Sequence, residues 1–208
     1  VGTARSIFGE NVKRKIQCFP EDFDDIKAYM FLACPIVHPS VMMRRDVFFK
    51  YNIRYDEHYR NMEDYKLWYD IMQIGKIANI SEPLLFYRIS KEQVSTKYKV
   101  NQMIGNKLFR REIMSTYLLS KGINIDERII NWELIHEISH LKLQTIDDAK
   151  MIASILFVCC LSVHDNKGLG LIKFLYSLVW TKRFFHCKYI GGIIIHYLHL
   201  KRLDYLSI

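Results

Sequence analysis

The chain opens on VGTARSIFG, whose short apolar positions set among polar ones read as a strand. After Pro20, EDFDDIKAYMFLA predicts a helix with acids in its opening turn, where they favour the positive end of the helix dipole. SVMMRR, residues 40–45, predicts a short strand. MEDYKLWYDIMQIG then places Tyr65, Trp68, Tyr69 and Met72 at helical spacing and closes at Gly75, a residue suited to the left-handed position beyond a helix end. Glu63 and Asp64 therefore fall at the amino end of a helix. KIANI and LLFYRI read as two strands separated by Ser81, Glu82 and Pro83. The predicted order is strand, helix, strand, helix, strand, strand, which is an α/β layer rather than a helical bundle.

Beyond about residue 95 the texture changes to helical spacing and long apolar stretches. KVNQMIGNKLFRREIMSTYLLSKG predicts a helix closing at Gly122, and DERIINWELIHEISHLKL a second. DDAKMIASILFVCCLSVHDN predicts a third, apolar almost all round. No apolar run reaches the roughly 18 residues needed to cross a bilayer. Lys173, Lys182, Arg183, Lys188, Lys201 and Arg202 alternate with Phe, Trp, Tyr and Leu. Two readings of that tail stand: helices lying in an anionic membrane interface, or a helical subdomain with solvated lysines. The organisation expected is residues 1–95 as one region and 96–208 as a helical extension.

At 208 residues and 50% hydrophobic content, the chain can fill a core. A net charge of +8 makes the surface attractive to anions, but no G-x-G-x-x-G, P-loop or nucleic-acid motif occurs, so no nucleic-acid partner is expected. Cys18, Cys34, Cys159, Cys160 and Cys187 form no C-x-x-C pair and argue for a reducing compartment. The start lacks the features of a signal peptide.

One short motif invites a metal. His136, Glu137 and His140 have the H-E-x-x-H spacing that on a helix offers two imidazoles to zinc. A third ligand is missing, however. The extended form of the motif would need Gly and His where Leu143 and Ile146 stand, and no glutamate follows Glu137. An amphipathic helix buried through Leu134, Ile135, Ile138 and Leu141 explains the same residues, and no metal ligand is assigned.

A longer pattern is more specific. HPSVMMRRDVF, then YDEHYRNMEDYKLWYDIMQIGKIANISEPLLFYRIS, then QVS follow one another with short gaps over about residues 30 to 95. Together they resemble the carboxyl half of the catalytic domain of family 2 glycosyltransferases of the GT-A fold, a Rossmann-like nucleotide-diphospho-sugar transferase fold. The resemblance implies that residues 1–95 are the acceptor side of such a domain, followed by a mostly helical region. It implies sugar transfer from a nucleotide-sugar donor to a glycan or lipid-linked acceptor, with inversion, in bacterial surface polysaccharide synthesis such as capsule or lipopolysaccharide. Asp64 would be the general base and Glu63 its neighbour in the acceptor site; alone, the pair also reads as ordinary acidic residues of a first helical turn. His38, Ser40 and Arg44 would lie on the acceptor side, with Arg44 and Arg45 on one strand. His38 reads equally as a core histidine.

Arg88 and Ser90 fall at the donor diphosphate side, where Ser90 replaces the family's histidine. The family's cation, Mg²⁺ or Mn²⁺, is held through a D-x-D element in the nucleotide-binding half, and no such element stands here in a position to serve. The acids Asp22, Asp24 and Asp25 fit a helix start instead. The expectation is therefore a partial chain, inactive alone, from an enzyme on the cytoplasmic side and peripheral on the inner face of the plasma membrane. The alternative class is a noncatalytic helical binding or scaffold module, and the third a zinc hydrolase built on HEISH.

Overall fold

The computed structural model describes residues 1–9, 12–90, 92–125 and 145–162, together with Leu134, Glu137, Ile138 and Leu141. The chain divides into two compact units, Val1–Ile113 and Met114–Ile208.

The first unit is organised by a three-stranded sheet of order β2-β1-β3. Strand β1 (Gly2–Gly9) pairs antiparallel with β2 (Val12–Gln17), setting Arg5 opposite Gln17 and Gly9 opposite Val12. It pairs parallel with β3 (Asn79–Ile89), from Gly2 beside Asn79 to Gly9 beside Ile89. A parallel pair requires a long crossover, and the helices α1 (Phe23–Tyr29), α2 (Asp46–Lys50) and α3 (Glu63–Ile74) lie within it. The buried amide of Asn79 ties the crossover to the sheet, donating from Nδ2 to the carbonyls of Pro20 at 2.7 Å and Pro35 at 3.0 Å. Gly2 is required beside it, because a Cβ there would sit 2.6 Å from Asn79 Oδ1.

The core of this unit forms where α3 meets the segment after α1. Tyr65, Leu67, Trp68 and Ile71 recur at helical spacing and are buried, as are Met30, Phe31, Ile36 and Val37. Tyr65 donates its hydroxyl to the Met30 carbonyl. After α4 (Val94–Lys97), the long helix α5 (Lys99–Leu119) brings Phe109 into the unit, ringed edge-to-face by Tyr59, Tyr65 and Tyr69 at centroid distances of 5.3, 5.0 and 5.9 Å.

Three local expectations are corrected. Residues 40–45 form no strand: Met42 exchanges backbone hydrogen bonds of 2.8 Å with Val1 and the pairing stops there. His38–Ser40 is a 3₁₀ turn, and the Arg44 and Arg45 carbonyls already accept from Val47 and Phe48 at the start of α2. Gly75 ends α3 in extended backbone, with φ of −168°, not left-handed. The two strands expected around Ser81, Glu82 and Pro83 are one, β3, which absorbs those residues in an irregularity opposite the step from Thr3 to Arg5. Strand β2 was not anticipated. Its exposed Lys13, Arg14 and Lys15 hide the alternation, and basic side chains suit an edge strand.

In the second unit, the chain turns after α5 at Gly122, whose φ of +86° bears out its place beyond a helix end. Helix α6 (Ile146–Ser162) matches its prediction, burying Ile152, Ala153, Ile155, Leu156, Val158 and Cys159. Thr145 caps it, its Oγ1 accepting from the Asp148 N–H at 3.0 Å. Asp148 also accepts from the Tyr117 hydroxyl at 2.8 Å and pairs with Lys121 at 2.7 Å.

Candidate active site

Helix α3 begins on two acids that behave differently. Asn61, just upstream, has φ of +68°, a left-handed conformation that asparagine tolerates better than most residues. Glu63 stabilises that turn: its Oε1 accepts from the Asn61 N–H at 2.9 Å. Asp64 Oδ1 accepts from the N–H of Tyr65 at 2.8 Å, holding the carboxylate against the helix start. Burial pushes the Asp64 carboxyl above the usual aspartate value, and the neighbouring Glu63 charge adds to this; the Tyr65 N–H pulls the other way, as a positive charge on His38 would.

Trp68 follows Asp64 by one helical turn and so shares its face. Against Trp68 lies His38, the first residue of the 3₁₀ turn, with ring centroids 5.7 Å apart. Tyr55 meets the imidazole edge-on, at 5.9 Å and an interplanar angle of 84°. Its hydroxyl is 3.5 Å from His38 Nε2. Burial pushes the Tyr55 phenol up, and the Asp64 charge pushes it further. Cys34 completes the surroundings. Its thiol donates to the Ile36 carbonyl at 3.4 Å and is pushed well up by burial and then by Asp64, so it stays a neutral thiol.

The structure thus brings Asp64 and His38 together, beside Glu63. Ser40 lies in the same turn as His38, but its hydroxyl is engaged with backbone, donating to Val37 O at 2.7 Å and accepting from Thr3 N–H at 3.0 Å. That makes Ser40 a tie between the turn and β1. Arg44 and Arg45 are both exposed. Arg88 is exposed on β3 in register with Phe8, and Ser90 is an exposed residue whose N–H donates to Gln93 Oε1 at 3.1 Å. None of Arg44, Arg88 and Ser90 contacts the Asp64 cluster among the described residues. Tyr55 and Cys34 were missed as site residues. Tyr55 stood in the quoted YDEHY, but no spacing rule ties it to a histidine 17 residues earlier.

Among the described residues, no group of three or more His, Cys, Asp or Glu side chains is placed to hold a metal ion. These residues alone do not fit the expected Mg²⁺ or Mn²⁺, and no step is assigned to a cation. Asp24 pairs instead with Lys27 at 2.9 Å on α1. His136 and His140 lie outside the described residues, so the zinc reading has no geometry to argue from.

No family model and no solved structure matches the chain. Two curated proteins do. The chain is 31% identical over 153 residues to an uncharacterized glycosyltransferase of Haemophilus influenzae, covering 73% of this chain and 45% of that protein. It is 29% identical over 97 residues to the amylovoran biosynthesis glycosyltransferase AmsE of Erwinia amylovora, covering 46% of this chain and 36% of that protein. The chain therefore spans less than half the length of each relative. Both relatives carry glycosyltransferase names.

Proposed function

We propose that this chain is the acceptor-side part of an inverting glycosyltransferase of family 2 and GT-A fold, with Asp64 as the general base. The observation that carries the reading is a carboxylate held at the start of α3, raised in proton affinity by burial, with His38 and Tyr55 beside it. In the reaction, an acceptor hydroxyl attacks the anomeric carbon of a nucleotide sugar. The new C–O bond forms as the bond to the diphosphate breaks on the opposite face, and Asp64 takes the hydroxyl proton. A carboxylate with raised proton affinity is the stronger base in its ionised form. Glu63 holds the turn that presents Asp64.

The acceptor in this reading is a glycan or lipid-linked sugar of a bacterial surface polysaccharide, a choice favoured by the Erwinia relative's name. The basic residues from Lys173 onward, which lie outside the described residues, would rest on the inner face of the plasma membrane. No described helix is long and apolar enough to cross a membrane.

The test is a transfer assay on the full-length protein with a panel of nucleotide sugars and a lipid-linked acceptor extract. Asp64→Asn is expected to abolish transfer while donor binding survives. Undiminished transfer by Asp64→Asn would sink the assignment.

A further inference from the structure

The two nitrogens of His38 meet different surroundings. Nε2 faces the Tyr55 hydroxyl at 3.5 Å, whereas Nδ1 is buried and has no hydrogen-bond partner among the described residues. Leaving such a group unpaired is unfavourable, because its lost hydration is not replaced. Trp68 and Tyr55 both pack against the ring, at centroid distances of 5.7 and 5.9 Å. Asp64 and Trp68 share a face of α3, so an imidazole packed on Trp68 lies in the field of the Asp64 carboxylate.

A neutral imidazole carries one proton, and the bond made by one nitrogen sets the state of the other. A negative charge beside the ring favours the proton on the inward nitrogen, Nδ1. That leaves a lone pair on Nε2, which suits the phenol O–H of Tyr55. Tyr55 keeps that proton, since burial and the Asp64 charge both oppose its ionisation.

The loop that delivers Tyr55 is fixed at several points. It runs between two left-handed asparagines, Asn52 with φ of +51° and Asn61 with φ of +68°. The Tyr59 hydroxyl lies 2.9 Å from both carboxylate oxygens of Glu112, and Asp56 Oδ1 accepts from the His58 N–H at 3.0 Å.

We propose that Tyr55 is a positioning residue, whose hydroxyl donates to His38 Nε2 and so holds the imidazole in its Nδ1–H tautomer beside Asp64. The inference rests on the reading of Asp64 as the base. A neutral imidazole leaves the charge and the proton affinity of the nearby carboxylate in place. An imidazolium would pull its proton affinity down and weaken the base. At 3.5 Å the contact is at the long end for a hydrogen bond, as is common in enzymes without substrate, and it tightens when the acceptor arrives.

The experiment uses the full-length protein labelled with ¹⁵N-histidine, and long-range ¹H–¹⁵N spectra of wild type and Tyr55→Phe, with His38→Gln to assign the signal. Phenylalanine keeps the ring packing and removes only the hydroxyl. The expected result is an Nδ1–H tautomer for His38 in wild type and its partial conversion to Nε2–H in Tyr55→Phe. In the nucleotide-sugar assay, kcat should fall about tenfold, the worth of one hydrogen bond in the transition state, with KM for the donor unchanged. An Nε2–H tautomer in wild type, or a spectrum that Tyr55→Phe leaves unaltered, overturns the proposal. Asp64→Asn run in parallel separates the two assignments: full activity there overturns the base, whatever the tautomer of His38.

Discussion

Asp64 in the first unit and Asp148 in the second each lie in the first turn of a helix, where the dipole favours a negative charge. Their carboxyls are nevertheless driven in opposite directions. Asp148 is only 8% exposed but has Lys121, Tyr117 and the Thr145-capped turn around it, and these hold it below the usual aspartate value. Asp64 is half-buried with no cation paired to it among the described residues, and burial wins. The helix start therefore does not decide what such an acid does. Its partners do. The second arrangement consolidates a fold, whereas the first leaves a carboxylate whose proton affinity is available for chemistry.

The largest expected effect separates the two acids. Asp64→Asn should lower transfer by at least about 10²-fold, the usual worth of a general base, while Asp148→Asn leaves the rate of folded enzyme within about twofold. A steady-state assay at matched folded fraction checks this.

Stability should show the reverse order. Asp148→Asn weakens the contact with Lys121, and a cost of about 2 kcal/mol is expected in urea titration after allowing for the partial exposure of that lysine. Asp64→Asn should hold or raise the melting temperature at neutral pH. The sign follows from linkage. Asp148 has a lowered folded pKa, so its contribution is present above the unfolded value and is lost as pH falls through the folded one. Asp64 has a raised folded pKa, so its ionisation costs stability, and the cost grows as pH rises from the unfolded to the folded value. The advantage of Asp64→Asn should therefore vanish in acid. A variant that melts earlier than wild type at neutral pH would contradict the burial argument.

Smaller changes test the frames that carry the two acids. Gly122→Ala should cost about 1 kcal/mol, because φ is +86° there while a Cβ meets nothing within 4 Å, so only backbone strain is added. Tyr59→Phe removes exposed hydrogen bonds to Glu112 and should cost about 0.5 kcal/mol, read from the same titrations.

The helices were legible because their signals are local. Acids before an apolar stripe marked α1, α3 and α6, and the left-handed glycine after α5 stands where the spacing placed it. The sheet was less so. Strand β2 is written in lysine and arginine, and the run at 40–45 looks like a strand until its pairing with Val1 is seen to end after one residue. Glu63 and Asp64 could be singled out from sequence, but their division of labour could not, because it depends on the left-handed turn at Asn61. Tyr55 was invisible as a partner of His38, since only the crossover between β1 and β3 brings the two segments together.

The most direct test of Asp64 as the base compares two curves on one protein. The first is the acid limb of kcat/KM for transfer, and the second is the titration of the Asp64 carboxyl followed by ¹³C NMR, assigned with Asp64→Asn. The account predicts that both midpoints lie above the ordinary aspartate value and coincide. A rate that stays constant while Asp64 becomes protonated would contradict it.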